Sequence, residues 1–142
     1  ISRKSSVLTP TIKHRLAPPQ AVVQLILQQD KRILLGLRQH TGLYDQHWSL
    51  PCGRVEALES MEQALYREAL EELGIELQQA SLVAQRPDRF SNQHFIYIAT
   101  QWRGQLGNQE PRLCHQLQWF NYQALPITSA PITLWAANLI PS

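Results

Sequence analysis

Three carboxylates, Glu68, Glu71 and Glu72, stand at i, i+3 and i+4 in a segment that reads as a helix. At about 3.6 residues per turn they share one face. Like charges at this spacing repel by roughly a few tenths of a kcal/mol per pair. A helix shaped only for stability would place lysines among them. Clustered oxygen ligands are instead what a hard divalent cation prefers. The helical wheel puts Glu68 and Glu72 beside Met61, Ala64 and Leu65, so the acids border the apolar arc. A solvated, glutamate-rich face is the other reading, and the helix by itself does not separate the two.

Several elements must position these acids. Ser60 can cap the helix, with Gln63 at the capping-box position. Met61, Ala64, Leu65, Ala69, Leu70 and Leu73 supply the apolar arc. Gly74 suits the left-handed residue that ends a helix. Upstream, Ala21–Gln28 and Arg32–Arg38 read as buried strands joined by the polar turn Gln29-Asp30-Lys31. His40 to His47 reads as a loop, and Trp48-Ser49-Leu50 as a short strand stopped by Pro51. Ala80–Ala84, His94–Trp102 and Leu117–Phe120 read as further strands. Pro131 suits the first turn of a short terminal helix running to about Leu139. Strands mixed with two helices imply an α/β or α+β domain. Residues 1–20, with Pro10, Pro18 and Pro19, read as an arm ahead of one domain over 21–142.

Bulk composition narrows the class. The 142 residues are 44% hydrophobic and 17% charged, which is ordinary globular composition and argues against disorder. The apolar run Ala21–Leu27 is short and is broken by Gln24, so no membrane span is expected. A net charge of +2 gives no sign of a stable nucleic-acid partner. The charge is unevenly spread. Arg3, Lys4, Lys13 and Arg15 precede the first acid, Asp30, and seven of the 11 acids lie between Glu56 and Glu76. The two cysteines, Cys52 and Cys114, form no metal-type pair or disulfide framework. With no secretory signal pattern, a cytoplasmic location is the default expectation.

The residues flanking the helix decide between the two readings of the acids. The segment from Gly53 to Ile75 reads Gly, five residues, Glu, seven residues, Arg-Glu, an aliphatic, any residue, Glu-Glu, any residue, Gly, an aliphatic. These positions are Gly53, Glu59, Arg67, Glu68, Ala69, Glu71, Glu72, Gly74 and Ile75. The pattern resembles the signature of the Nudix hydrolase family, most like its small MutT-type members. The resemblance implies an α/β/α sandwich with a mixed β-sheet and a loop–helix–loop carrying the site. It implies hydrolysis of a diphosphate linkage in a nucleoside diphosphate joined to another group, with Mg²⁺ or sometimes Mn²⁺ as cofactor. Glu71 and Glu72 would be the principal metal ligands. Glu68 would bind a second metal or hold the attacking water. Bound metal neutralises the diphosphate and activates water. Arg67 and Glu59 would brace the loop over the helix, in a geometry lysine reproduces poorly. The residue before Gly53 is commonly glycine in the family, where its carbonyl is a metal ligand. Here it is Cys52, whose backbone carbonyl remains available.

Outside the signature, Glu110 lies where MutT-like relatives place a further acid, as metal ligand or general base. His94 and His115 are alternative bases. Arg38, Tyr44 and Trp119 are candidates for substrate binding, with Phe90 and Trp102 as further aromatics. The stretch Cys114-His115-Gln116-Leu117 lacks the acidic pair with which some relatives read oxidised purines. The expected ligand is a small-molecule nucleotide, a nucleoside triphosphate giving a monophosphate and pyrophosphate. A homodimer is compatible with the resemblance. An inactive nucleotide-binding or regulatory module on the same fold is the alternative, and the intact carboxylate set argues against it.

Overall fold

The computed structural model describes residues 20–141. Apart from Gln20, the expected arm therefore lies outside the described residues. The order is β1 (Ala21–Gln29), β2 (Arg32–Arg38), β3 (Trp48–Ser49), β4 (Cys52–Arg54), α1 (Met61–Leu73), β5 (Glu76–Pro87), β6 (Gln93–Arg103), β7 (Cys114–Asn121) and α2 (Pro131–Ala137). The seven strands form one mixed sheet with two wings. In the first wing β1 pairs antiparallel with β4 and parallel with β6, and β5 lies antiparallel on β6. In the second, β2 pairs antiparallel with β3 and β7. The wings join where β1 turns into β2, through the pairs Gln28–Ile33 and Gln29–Arg32.

Alternation along β1 builds a core on each face of the sheet. Val23, Leu25 and Leu27 pack with Ala64, Leu65, Ala69 and Leu73 of α1. Ile26 packs the other way, with Ile96 of β6 and Ala136 and Ile140 at the α2 end. This is the expected α/β/α sandwich. Among the described residues no helix is long and apolar enough to cross a membrane.

Helix α1 begins and ends where its sequence directs. The Ser60 side chain accepts a bond from the Gln63 backbone N–H, Gln63 returns one to Ser60, and Gly74 closes the helix at φ 71°. Leu70 departs from expectation, being 60% exposed. At about 100° per residue it lies some 140° round from Leu65, outside the buried arc. Two strands also differ from their expected extents. β5 runs from Glu76 to Pro87, well past Ala80–Ala84 at both ends, because it follows the full length of β6. β4 was not anticipated, since three residues form a strand only against a partner brought from elsewhere.

Candidate active site

The carboxylates gather where α1 meets β4 and the loop after β6. Gly53 lets α1 approach β4 closely. A Cβ at this position would coincide with Cγ, Cδ and Oε2 of Glu68. The same α1 end is tied to the loop carrying Glu110. Gly107 and Gln109 donate their backbone N–H groups to the carbonyls of Leu73 and Glu72, at 3.0 and 2.9 Å. Those carbonyls lack partners within the helix, so the loop caps the helix and in doing so carries Glu110 toward Glu72.

Arg67 is the hub of the loop over α1. Its Nε and Nη2 donate to Oε2 and Oε1 of Glu59 at 2.7 and 3.0 Å, a two-pronged pair. Nη2 also donates to the Arg54 carbonyl at 3.0 Å, and Nη1 to Glu68 at 2.9 Å and Glu71 at 3.3 Å. Glu59 accepts the Glu56 N–H as well, at 2.9 Å. The hydrogen bonds from Arg67 hold Glu59 below the ordinary carboxylate range.

The remaining acids strain against one another. Glu72 is half-buried. Burial, then the hydrogen bond and charge of Glu68, then the charge of Glu110, raise its pKa well above the ordinary value. Glu110 is raised by burial and by the charges of Glu68 and Glu71, with Arg112 in opposition. Among the described residues no three His, Cys, Asp or Glu side chains are arranged to hold a metal ion as they stand. Arg67 engages Glu68 and Glu71 in this arrangement. The donor set nonetheless suits a hard cation. It is all oxygen and mutually repelling, and a divalent ion would remove the repulsion.

Strand register leaves one further oxygen free. The Leu25 N–H bonds to the Pro51 carbonyl and the Val55 N–H to the Ala21 carbonyl, each at 2.9 Å. Bonding alternates along an antiparallel pair, so Cys52 turns its backbone groups away from β1. Its N–H serves Glu72. The Cys52 carbonyl is therefore not used by the β1 ladder. Burial pushes the Cys52 thiol up to about 12, and the Glu72 charge adds to it. A protonated thiol is a poor metal ligand, so the carbonyl is the donor Cys52 has to offer.

A cleft of about 750 Å³ opens beside this cluster, with Glu72, Glu110, Cys52 and Gly53 in its wall. The NUDIX domain family model matches residues 17–142. The chain belongs to the NUDIX family. A MutT NUDIX hydrolase from Burkholderia pseudomallei superposes with a TM-score of 0.78 at 30% identity, over 87% of this chain and 98% of that one. The NAD-capped RNA hydrolase NudC of Pasteurella multocida is 34% identical over 128 residues, 86% of this chain and 46% of its own length. The 8-oxo-dGTP diphosphatase of Proteus vulgaris is 34% identical over 73 residues, 49% of this chain and 62% of that protein. The chain thus spans about half the length of the NAD-capped RNA hydrolase. It carries a MutT-like Nudix hydrolase domain.

The Nudix cleft sorts the other residues singled out by sequence. Arg38 and Tyr44 line it, as do Phe90 and His94. Arg38 Nε donates to the Leu43 carbonyl at 2.8 Å, which ties β2 to the loop bearing Tyr44. Trp119 does not line the cleft, so its assignment to substrate is corrected. It pairs in register with Leu34, faces the α1 core and stacks on Trp102 at 6.2 Å between centroids. His115 is exposed and stands outside the cleft wall. His94 hydrogen-bonds Gln24 and Asp88, not the carboxylate cluster. Sequence reasoning did not reach Gln24 and Asp88. The available signal was a polar residue inside the apolar run Ala21–Leu27.

Proposed function

We propose that this domain hydrolyses the diphosphate linkage of a nucleoside diphosphate joined to another group, using Mg²⁺. The substrate of first choice is a nucleoside triphosphate, giving a nucleoside monophosphate and pyrophosphate. The observation that carries this reading is the cluster of four acids, Glu68, Glu71, Glu72 and Glu110, of which Glu72 and Glu110 line the cleft and have their pKa values raised by burial and by the neighbouring carboxylates. A surface serving only stability has no use for that repulsion.

Glu71, Glu72, Glu110 and the Cys52 carbonyl would hold the metal. Bound there, it supplies positive charge to the diphosphate and activates water for attack on phosphorus. Glu68, held by Arg67, would orient the attacking water or take a second ion. Arg67 and Glu59 are positioning residues that fix the loop and the angle of α1. Arg38 supplies a cation inside the cleft for phosphate oxygens. Tyr44 offers the ligand an aromatic edge on the same wall.

A second reading takes a dinucleotide such as NAD as substrate. It is favoured by the alignment with the NAD-capped RNA hydrolase across 86% of this chain. One experiment addresses both. Nucleoside triphosphates, NAD, ADP-ribose and nucleotide sugars are incubated with and without Mg²⁺, and the products are weighed by mass spectrometry. Magnesium-dependent release of a monophosphate from one of them, lost in Glu72→Gln, is the expected result. No turnover of any compound by a folded protein would leave the inactive binding module as the better reading.

A further inference from the structure

Behind the carboxylate lip, the cleft wall holds a polar chain that the hydrolytic chemistry does not use. Gln24 is 3% exposed and sits on β1 opposite Cys52. Its Nε2 lies 3.1 Å from His94 Nδ1, and His94 Nε2 lies 2.9 Å from Asp88 Oδ2. Among the described residues, Gln24 Oε1 is buried and has no hydrogen-bond partner. All three residues border the cleft.

The chain has a direction. Asp88 is an acceptor, taking the N–H groups of Phe90 at 2.7 Å and Asn92 at 3.0 Å and the Asn92 side-chain amide at 2.9 Å. Burial works against its charge, but the bonds from His94 and Asn92 hold its pKa below the ordinary value. The fourth partner, His94 Nε2, must therefore carry the proton. In a neutral ring that leaves Nδ1 as acceptor, so Gln24 points its NH₂ at the imidazole. The amide is thereby locked with its carbonyl oxygen turned away from His94 and unanswered.

An unanswered buried acceptor is costly, and native proteins keep few of them. Gln24 forms part of the cleft wall, so a molecule held in the cleft can supply the missing donor. We propose that Gln24 is the specificity-determining residue for the base, accepting a hydrogen bond through Oε1 from an amino or imide N–H on a heterocycle bound in the cleft. His94 and Asp88 are positioning residues that fix which end of the amide is presented. The same Asp88 carboxylate anchors the backbone of Phe90, which is 53% exposed on the cleft wall. One anchor thus sets both an edge reader and an aromatic face on which a ring can stack. This inference rests on the cleft taking a nucleotide, as proposed above.

The test uses triphosphate pairs that differ only in the donor. They are adenosine and N6,N6-dimethyladenosine, cytidine and N4,N4-dimethylcytidine, and uridine and 3-methyluridine. Turnover is measured with Mg²⁺, and binding of the matching monophosphates is measured by calorimetry without it. The wild-type protein is expected to prefer the N–H partner of at least one pair by roughly 10- to 100-fold in kcat/KM and in affinity, the worth of one hydrogen bond to a buried acceptor. Gln24→Met, close to Gln24 in shape, reduces that preference to a few-fold by removing the advantage of the N–H partner. His94→Phe lowers the preference in the same direction. Methyl bulk alone would discriminate equally in wild type and Gln24→Met, and that result overturns the proposal. So does a Gln24→Met variant that changes only its melting temperature, because Oε1 then belongs to an internal water. If no nucleotide is bound or turned over, the nucleotide reading of the cleft fails and this proposal falls with it.

Discussion

Gly53→Ala probes how the site is built, because its effects on stability and activity have different causes. Gly53 lies in β4 and does not have a positive φ, so the backbone tolerates alanine. In an unstrained position that exchange gains about 0.4–1 kcal/mol by restricting the unfolded chain. Here the new methyl would occupy space held by the Glu68 side chain. Glu68 cannot swing aside freely, since Arg67 Nη1 holds its carboxylate at 2.9 Å and its side chain is 18% exposed. Overpacking of this kind costs about 1–3 kcal/mol. The clash outweighs the entropy gain, and the net loss is about 1–2 kcal/mol. In a domain of this size that lowers Tm by roughly 3–8 °C.

Activity falls further than stability. Shifting a reacting group by about 1 Å is enough to cost on the order of 100-fold, so kcat/KM for diphosphate hydrolysis drops about that much in a folded protein. A double-mutant cycle isolates the cause. In a Glu68→Ala background the three atoms nearest the new methyl are gone, and the cost of Gly53→Ala is expected to shrink toward zero. Urea melts of the four proteins, with pyrophosphate release alongside, measure both effects. The reasoning is refuted if Gly53→Ala destabilises equally in both backgrounds, or if it leaves kcat/KM unchanged.

Three further predictions concern charge. Burial, Glu68 and Glu110 raise the folded pKa of Glu72 above its ordinary 4.5. The stability this group contributes is complete below that value and is lost as pH rises through the folded one. Metal-free Glu72→Gln is therefore expected to gain on wild type as the pH rises above 4.5 in urea melts, and a difference that does not change with pH contradicts the assignment. Mg²⁺ at about 100 times its Kd should stabilise the wild-type protein by about 2.7 kcal/mol, measured as a thermal shift. The shift should vanish in Glu72→Gln, and its survival there places the ion elsewhere. With its thiol near 12, Cys52 should resist iodoacetamide at about pH 8 in the native protein and react once urea is added, as read by peptide mass. Rapid native labelling of Cys52 contradicts the raised pKa of its thiol.

What was legible in the sequence is what local chemistry determines. Ser60, Gln63 and Gly74 mark the ends of α1 through bonds made within a few residues. The Glu59–Arg67 pair, which the resemblance to the Nudix signature implied, is formed as a two-pronged contact. Illegible features depend on partners far along the chain. Gln24 is conspicuous as a polar residue in an apolar run, but its partner His94 lies 70 residues away. Trp119 was misassigned because alternation in β7 says that two faces exist and not which of them meets α1. Leu70 failed for a simpler reason, since its apolar character drew it into an arc that the wheel itself excludes. The capping of α1 by the loop before β7 had no signal in either segment read separately.

Several devices at the carboxylate site answer one physical difficulty. Four acids crowded beside one cleft repel one another, and the chain itself offsets part of that repulsion. Arg67 does so for Glu68 and Glu71, placing one guanidinium where their charges would otherwise be unmatched. Among the described residues Glu72 and Glu110 make no ion pair within 4 Å, and their pKa values are raised, with Arg112 only opposing the rise at Glu110. The arrangement is therefore divided. Half the cluster shares one fixed cation with Glu59, and the other half would be met by a diffusible one. Lysine at Arg67 could neutralise the first half but could not also grip Glu59 with two prongs and reach the Arg54 carbonyl. Arg67→Lys should accordingly lower kcat/KM while the metal-induced thermal shift, which depends on Glu72, is largely kept. Loss of both together would show that Arg67 holds the ligands themselves and not only the loop above them.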